Sequence, residues 1–489
     1  MSLDTTRDAG PPRWREVVAE GRGTLTAGLL IVEALAGIQA LVVTATMPRV
    51  LADLHGVAYY GWVFSGYYLA GLAATPRAGR AADRHGPLRP FMEGLLLFGL
   101  GTVLAGLAPS MLVLAIVRVV QGYGGAALYT VAYGAVAKGY PERLRARVLA
   151  LLSLVWVIAG LVGPAYGAAV AAAVGWRWSF LSVLPFVALV ALLIARPMAA
   201  LGRGSAAAPP GIGQRRPVQL AVGTGLVLGG LSASSLLMAA ALAAAGLALA
   251  GPALRHVLPA GVLTVRRGYP ATVAAAFLAS LAFFAADSFV PLLLTGVRGT
   301  SVLEASVAVT LVTIGWSVGA WWQSRVMSAA RVPRLVGWGA VVMAAGIAGT
   351  AAALAGLPLP LVYIAWVAVG LGMGVAYTTL FLAALDGAGA GNETTVVAAR
   401  MVSARLGIAL GTGLGGACVA VAASVHAPLA DGLWASSPWP WPPPCSPCSS
   451  PGASPAGRPP PPPPPPPPPH RRAERAAPRR GRSSRRPVR

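Results

Sequence analysis

Charged side chains are scarce in this chain of 489 residues. Only 11% of the residues are Asp, Glu, Lys or Arg, whereas 56% are hydrophobic, and the mean hydropathy is +0.67. A soluble protein of this length needs more polar side chains to cover its surface. The shortage of charge therefore excludes a soluble globular protein and indicates that the bilayer is the main solvent.

Acidic residues and lysine are the scarcest charges. The chain has 15 acidic and 38 basic residues, of which only Lys138 is a lysine, and its net charge is +23. Such a charge in a soluble protein would favour nucleic acid, but here the basic residues lie in short loops and one tail, and no helix carries a basic face. We expect no nucleic-acid partner.

Cysteine is also rare, with three residues. Cys445 and Cys448 form one CxxC pair without a second, so we expect no metal site and no cofactor. The sequence has no Walker loop, which argues against ATP as the energy source. A GxGxxG pattern at Gly411, Gly413 and Gly416 follows no strand and lies in an apolar run, so it predicts close helix packing rather than a dinucleotide site.

Long apolar runs are abundant. A run of about 20 apolar residues is long enough to cross roughly 30 Å of hydrocarbon as a helix. The chain has thirteen such runs, arranged as six, two weaker ones and five, and they predict an all-α polytopic membrane protein. They cover 26–46, 58–78, 91–108, 110–136, 145–173 and 179–196, then 217–234 and 236–252, then 271–294, 304–325, 335–355, 359–385 and 398–424.

Basic residues follow the even-numbered spans, and the other loops contain few Arg or Lys residues. Cytoplasmic loops retain Arg and Lys, so we expect the even loops and the N-terminus to be cytoplasmic, in a bacterial inner membrane. Residues 1–25 are too polar for a secretory signal. The basic groups are Arg77, Arg80, Arg84 and Arg89, then Lys138, Arg143, Arg145 and Arg147, then Arg196, Arg203, Arg215 and Arg216, then Arg255, Arg266 and Arg267, and finally Arg325, Arg331 and Arg334.

The chain repeats itself weakly. The second and tenth spans both end in a glycine, Gly79 and Gly319, followed by arginine, but Gln323 stands at the place of Asp83. Internal duplication of this kind is a known transporter plan. It predicts two six-helix bundles in pseudo-symmetry with two extra linker helices. The expected divisions are an N-terminal segment 1–25, a bundle 26–196, a linker 197–216, the extra helices 217–252, a linker 253–270, a second bundle 271–433 and a tail 434–489.

The apolar pattern stops after Leu433. The tail includes eleven consecutive prolines, Pro459 to Pro469, and many arginines, so it is unable to form a spanning helix. A thirteenth span would also put this basic tail outside, against the positive-inside rule. We hypothesise that a reading-frame shift near residue 434 replaced a fourteenth span. The alternative is a native disordered polyproline tail.

Three motifs carry the functional signal. The first reads GxxxDRxG on a short loop between the second and third spans, with Gly79, Asp83, Arg84 and Gly86 at its marked positions and Arg89 just beyond it. The second, in the fourth span, is Arg118, Gln121 and Gly122. The third, in the fifth span, is Gly160, Gly163, Pro164 and Gly167, where small residues permit close packing and proline permits a bend.

Arg118 lies deep in its span. If the helix begins near Ser110, Arg118 is about 12 Å into the membrane, where an uncompensated cation costs roughly 2.5 to 3.5 kcal/mol. It therefore needs a partner or a water-filled cavity, unless it snorkels to the outer surface.

These motifs resemble those of the major facilitator superfamily, in its drug:proton antiporter branch with fourteen spans, over about residues 26 to 430. The resemblance implies that Asp83 and Arg84 form charge contacts with neighbouring helix ends and that Gly79 and Gly86 permit tight turns. The family's usual basic pair after Gly86 is replaced by Pro87 and Leu88 before Arg89. The Arg118, Gln121 and Gly122 motif is linked to proton transfer in the family.

Proton coupling requires a group that titrates inside the membrane. Glu33 and Asp287 are the carboxyls well within apolar runs, and with Arg118 they are the proton-coupling candidates. The family places an aspartate nine residues before a proline, where this chain has Gln39 before Pro48. We expect Glu33, one and a half turns away, to substitute for it. The alternatives are a coupling that differs from the family's and a carboxyl that faces a polar crevice without turnover.

A cavity for amphipathic compounds should be apolar with scattered aromatic and polar groups. Tyr60, Phe64 and Tyr67 share one face of the second span, and they could instead face lipid or pack internally. The candidate cavity residues are Gln39, Tyr60, Phe64, Tyr67, Phe284, Trp316 and Tyr377.

Together, the resemblance implies a monomeric secondary transporter that is not an enzyme. It would export hydrophobic or amphipathic small molecules in exchange for protons by alternating access. Two alternatives remain open: a transporter of one defined metabolite, and a non-transporting or inactive membrane protein with an altered C-terminus.

Overall fold

The computed structural model describes residues 14–19, 21–202, 213–233, 235–386, 393–424 and 428–436. In this part of the chain all regular structure is helical. The expected CxxC pair Cys445 and Cys448, the prolines from Pro459 to Pro469 and the arginines after them lie outside the described residues.

The helices follow the predicted spans in order. The first group is α1 Gly23–Leu54, α2 Tyr60–His85, α3 Leu88–Gly106, α4 Met111–Gly139, α5 Glu142–Ala173, α6 Trp176–Leu181 and α7 Leu184–Ala200. The linking pair is α8 Arg215–Leu231 and α9 Leu236–Val257. The last group is α10 Tyr269–Asp287, α11 Val290–Gly296, α12 Val302–Val326, α13 Val332–Ala351, α14 Leu359–Asp386, α15 Glu393–Ser424 and α16 Leu429–Ser436. Short 3₁₀ turns cover Trp14–Val17, Val57–Tyr59, Ala329–Arg331 and Ala352–Ala355.

Eleven helical segments of the described chain are long and apolar enough to cross a bilayer. They confirm the prediction of an all-α polytopic membrane protein. The two other predicted spans correspond to α2 and α8. Helix α8 has 17 residues, and α2 is rich in Gly, Tyr and charged residues, which lower its hydropathy.

Two predicted spans are broken helices rather than continuous ones. The sixth span divides into α6 and α7, and the ninth into α10 and α11. Both second segments carry a proline in their first turn, Pro185 and Pro291, and proline has no amide hydrogen to continue the preceding helix. Asp287, expected well inside a span, is the last residue of α10 beside such a break.

The motif that begins at Gly79 is helical, so its prediction as a loop is wrong. Helix α2 continues to His85, and only Gly86, with φ +87°, and Pro87 connect it to α3. The residues before Gly86 include no helix-terminating signal, so the helix extends past the apolar run. Gly79 makes no tight turn: a Cβ there would meet Thr130 at an ordinary 3.8 Å.

The two groups of helices pack in the same pattern. In the first group α1 lies against α5, and α4 lies against both α2 and α3; in the last group α10 lies against α15, and α14 against both α12 and α13. Across the groups, α2 packs on α15 and α5 packs on α12. Helices α8 and α9 pack on each other, with α8 against α2 and α15.

We define two ends of the bundle by their connections. The arginine-rich end holds residues 77–89 and 138–147, and the opposite end holds residues 53–60 and 174–177. At the opposite end the groups meet with backbones nearly touching, since a Cβ on Gly61 of α2 would lie 2.6 Å from Cα of Gly416 of α15. Nearby, the Tyr60 hydroxyl donates to the Ser288 carbonyl at 3.2 Å. The GxGxxG glycines of α15 thus serve close helix packing, as predicted.

Gly122 is a second position where helix packing requires glycine. A Cβ added there would meet the backbone of Tyr67 in α2, with the Tyr67 Cα at 2.6 Å. Backbone atoms are unable to move aside as a flexible side chain does. The packing of α2 against α4 therefore requires that residue 122 has no side chain.

We expect Gly122→Ala to lower the stability of the protein by about 1 to 3 kcal/mol, the usual cost of overpacking. The matched control is Gly134→Ala in the same helix, where nothing lies within 4 Å of an added Cβ. Thermal unfolding in detergent, followed by gel filtration, measures both. Equal stability of the two variants would contradict the close contact of α2 with α4.

Candidate functional site

Arg118 is buried in the first group of helices, with 3% of its surface exposed. Its Nε donates to the Val63 carbonyl at 3.1 Å, and its Nη1 donates to Oε1 of Gln121 at 2.6 Å. The guanidinium lies 4.2 Å from the centre of the Tyr67 ring. Gln121 in turn donates to Thr102 of α3 at 2.8 Å. The partner that the sequence required is therefore present, and the alternative of a snorkelling arginine is wrong.

Glu33 is 1% exposed on α1 and faces α4 and α5. Its Oε1 accepts hydrogen bonds from the indole of Trp156 and from the Tyr133 hydroxyl, at 3.3 Å for Tyr133. Tyr133 also accepts from Tyr129 at 3.0 Å. Trp156 and Tyr133 thus hold the Glu33 carboxyl directly and Tyr129 supports Tyr133, with no direct contact from Glu33 to Arg118 among the described interactions.

Asp287 and Gln39 are the other two polar candidates. Asp287 is 9% exposed at the end of α10, and the carbonyl of the next residue, Ser288, accepts a hydrogen bond from the Tyr60 hydroxyl. Gln39 is 2% exposed on α1, and within the described chain neither amide atom has a hydrogen-bond partner. The structure therefore separates the three proton-coupling candidates Glu33, Arg118 and Asp287 rather than joining them in one cluster.

A row of six aromatic rings crosses from one helix group to the other. Neighbouring ring centres are 5.0 to 6.2 Å apart. All members except Phe283 are half-buried, so five of the six rings keep part of their surface exposed. In order, this aromatic row is Tyr67, Tyr68, Phe284, Phe283, Trp316 and Tyr377.

The ends of the aromatic row are both covered by arginine. Arg118 stacks on Tyr67, and Arg400 of α15 lies 4.2 Å from the centre of the Tyr377 ring. Arg400 is 1% exposed and donates from Nη2 to the Tyr377 carbonyl at 3.0 Å, while its Nε has no partner in the described chain.

Three predicted cavity residues, Gln39, Tyr60 and Phe64, are not members of the aromatic row. Tyr60 and Phe64 are buried, at 0% and 4% exposure, and Tyr60 packs on Phe289 with ring centres 5.3 Å apart. They close the opposite end of the bundle rather than extend the aromatic row. The shared helix face with Tyr67 was correct, but helix α2 meets different neighbours along its length.

Sequence reasoning missed four central residues. Tyr68 and Phe283 complete the aromatic row, and Arg400 and Arg405 place two cations in α15. Arg405 is half-buried and donates from Nη1 to the Gly71 carbonyl at 3.4 Å and to the Thr75 hydroxyl. Two arginines near the start of the thirteenth apolar run were a signal that could have identified them.

The glycines of the fifth-span motif face two partners. A Cβ on Gly160 would meet Thr313 of α12, with the Thr313 Cβ at 2.8 Å, and one on Gly167 would lie 2.9 Å from Val42 of α1. Gly163 is less tightly packed, with Leu41 of α1 at 3.5 Å. The Pro164 ring lies inside α5. The motif thus brings α5 close both to α1 and to the other helix group.

The polar residues of the arginine-rich end make local contacts. Asp83 lies 3.7 Å from Lys138 at the end of α4, and Lys138 also donates to the Ala82 carbonyl at 3.3 Å. Arg84 is exposed. Arg89 pairs with Glu93 one turn along α3 at 3.0 Å, not with a neighbouring helix. These contacts stay within the first helix group, and the gating role of this end stays a prediction.

Comparison with known proteins agrees with this architecture. The family model of the Major Facilitator Superfamily matches residues 29–412. A probable multidrug-efflux transporter of Mycobacterium tuberculosis is 28% identical and aligns over 86% of this chain and 92% of its own length. A multidrug resistance protein B homolog of the same species is 38% identical, over 35% of this chain and 32% of its own.

A solved structure has the same fold. It is a bacterial homolog of the human lysosomal transporter Spinster, in an inward-facing and unoccupied conformation, with a TM-score of 0.57 and 17% identity. The alignment covers 82% of this chain and 83% of that one. With the family model matching most of its length, this chain belongs to the Major Facilitator Superfamily of membrane transporters.

Proposed function

We propose that this protein exports hydrophobic or amphipathic small molecules across a bacterial inner membrane in exchange for protons. The observation that carries the proposal is the half-buried aromatic row, which joins the two helix groups of a bundle that also buries two carboxyls, Glu33 and Asp287. Aromatic walls with few polar groups bind varied apolar compounds. The relatives named as multidrug efflux proteins support this substrate class.

The packing between the helix groups supports alternating access. The pairs α2 with α15 and α5 with α12 are the main contacts across the groups, and both use glycine at the contact. At the opposite end Tyr60 and Gly61 lie against Ser288 and Gly416. If the arginine-rich end is cytoplasmic, as the charge distribution favours, this arrangement is closed toward the outside.

Glu33 is the better candidate for proton coupling. Its oxygen accepts from two neutral donors, Trp156 and Tyr133, and no cation pairs with it in the described chain. A carboxyl without a cationic partner changes its charge more easily than one locked in an ion pair. Gain of a proton on one side of the membrane and loss on the other would then couple to the movement of the helix groups.

Proteoliposomes with an acidic interior test the proposal directly. We expect them to accumulate several amphipathic dyes (ethidium, rhodamine B and Nile red) in exchange for protons, and a protonophore should abolish the accumulation. Dye fluorescence measures the uptake against protein-free liposomes. Uptake of none of these dyes would support a non-transporting protein, whereas uptake confined to one compound in a wider panel would favour a transporter of one metabolite.

A substitution at Glu33 tests the coupling residue. Glu33→Gln keeps an oxygen for Trp156 and Tyr133 but is unable to take up a proton. We expect it to reduce pH-driven dye uptake by about 10-fold or more, since this step would lose its general proton acceptor, while dye binding in detergent persists.

The matched control for this substitution is Glu93→Gln, a half-exposed carboxylate in α3 that pairs with Arg89. It should leave pH-driven uptake unchanged. If Glu33→Gln also responds to the pH gradient as the original protein does, then Glu33 is not the coupling residue, and Asp287→Asn becomes the next variant to measure.

A further inference from the structure

We propose that the aromatic row binds aromatic compounds that carry an acidic group, with Arg405 as the residue that binds the anion. This inference rests on the proposed function, because it names the substrate class of that same site. It comes from the position of Arg405, from the charges around it and from the aromatic row beside it.

Arg405 lies in the middle of the bundle but remains half-buried. Among the described contacts, both of its hydrogen bonds come from one nitrogen, Nη1, which reaches Gly71 and Thr75 across the boundary between the helix groups. A guanidinium has five N–H donors in a planar fork that matches a carboxylate. The Nε and Nη2 donors of Arg405 thus remain for a ligand.

The charges of the bundle centre favour an anion. Arg118, Arg400 and Arg405 supply three cations there, against the two carboxyls Glu33 and Asp287. The ion pairs that the structure records lie at the bundle ends, with Arg89, Lys138, Arg143 and Arg177 as the cations. The central arginines are instead held by carbonyl, amide, hydroxyl and ring contacts, which leave their positive charge without an anionic partner in the described chain.

The three arginines differ in what they offer. Arg118 is held by Val63, Gln121 and the Tyr67 ring, and Arg400 is almost fully buried against Tyr377. Only Arg405 is both accessible and incompletely bonded. A buried guanidinium would serve to position the row, while an accessible one can exchange a protein contact for a ligand.

Arg405 also faces the aromatic row. The Gly71 carbonyl that it contacts lies one helical turn after Tyr67 on the same face of α2, so the guanidinium lies beside the first ring of the row. A flat ligand that stacks on these rings would therefore place an acidic substituent within reach of the guanidinium. The Thr75 hydroxyl accepts from Nη1 and leaves the Nε and Nη2 donors to that substituent.

Binding of two dyes that differ only in whether a carboxyl group is free or esterified tests the inference. Rhodamine B has a free carboxylate, and its ethyl ester does not. We expect the purified protein in detergent, followed by fluorescence anisotropy, to bind the acid more tightly than the ester. Arg405→Gln should weaken binding of the acid by about 10-fold or more, the usual effect of losing a charge-assisted hydrogen bond, and leave the ester within about 2-fold.

Three further variants separate anion binding from a structural role. Arg405→Lys keeps the charge and should retain most of the binding of the acid. Thr75→Val removes a hydroxyl that accepts from Nη1 but keeps the Nε and Nη2 donors, and should leave binding of the acid within about 2-fold. Arg325→Gln is the control, because this exposed arginine stacks on Trp321, which is not part of the aromatic row. It should change the affinity for neither dye.

Two results would overturn the inference. One is an equal loss of affinity for both dyes in Arg405→Gln, together with a loss of affinity in Arg405→Lys and Thr75→Val. Arg405 would then be only a contact between the helix groups. The other is an unchanged affinity for the acid in Arg405→Gln. Because binding is measured without a pH gradient, failure of proton-driven transport would count against the proposed function and leave this inference standing.

Discussion

A cation inside a bilayer must find its partners in the protein, because the surrounding hydrocarbon offers none. Arg118 meets this requirement by bonding to α2 through the Val63 carbonyl, to Gln121 in its own helix and, through Gln121, to Thr102 of α3. Its plane then covers the ring of Tyr67. One buried charge thereby orients three helices and places the first ring of the aromatic row.

The row would not reach both helix groups without close approach of their backbones. Glycine at 122 lets α2 lie against α4, glycine at 61 and 416 lets α2 lie against α15, and Gly160 brings α5 to α12. Contacts through backbone and small side chains can slide or separate at lower cost than interlocked large side chains. The same feature that packs the bundle is therefore compatible with the rocking motion that the proposed transport requires.

Much of this arrangement followed from local sequence. Apolar runs predicted the helices, and the depth of Arg118 in its run predicted that it needed a partner. Prediction failed where the outcome depended on neighbours. The segment from Gly79 to His85 is polar and was expected to be a loop, yet polar residues continue a helix readily once it has left the membrane. Tyr60 and Phe64 share a face of α2 with Tyr67. The neighbouring elements that pack on this face change along the helix, so these residues have different contacts from Tyr67.

By itself, the sequence determined the membrane environment, the order of the helices, the family and the motifs at Arg118 and Pro164, because hydropathy and spacing act along the chain. The tertiary structure alone decided which rings form one row, that Glu33 is held by Trp156 and Tyr133, and that Arg405 spans the boundary between the helix groups. These pairs are 100 to 334 residues apart in the chain. Such contacts arise only when helices pack, and no local pattern records the angle at which two helices meet.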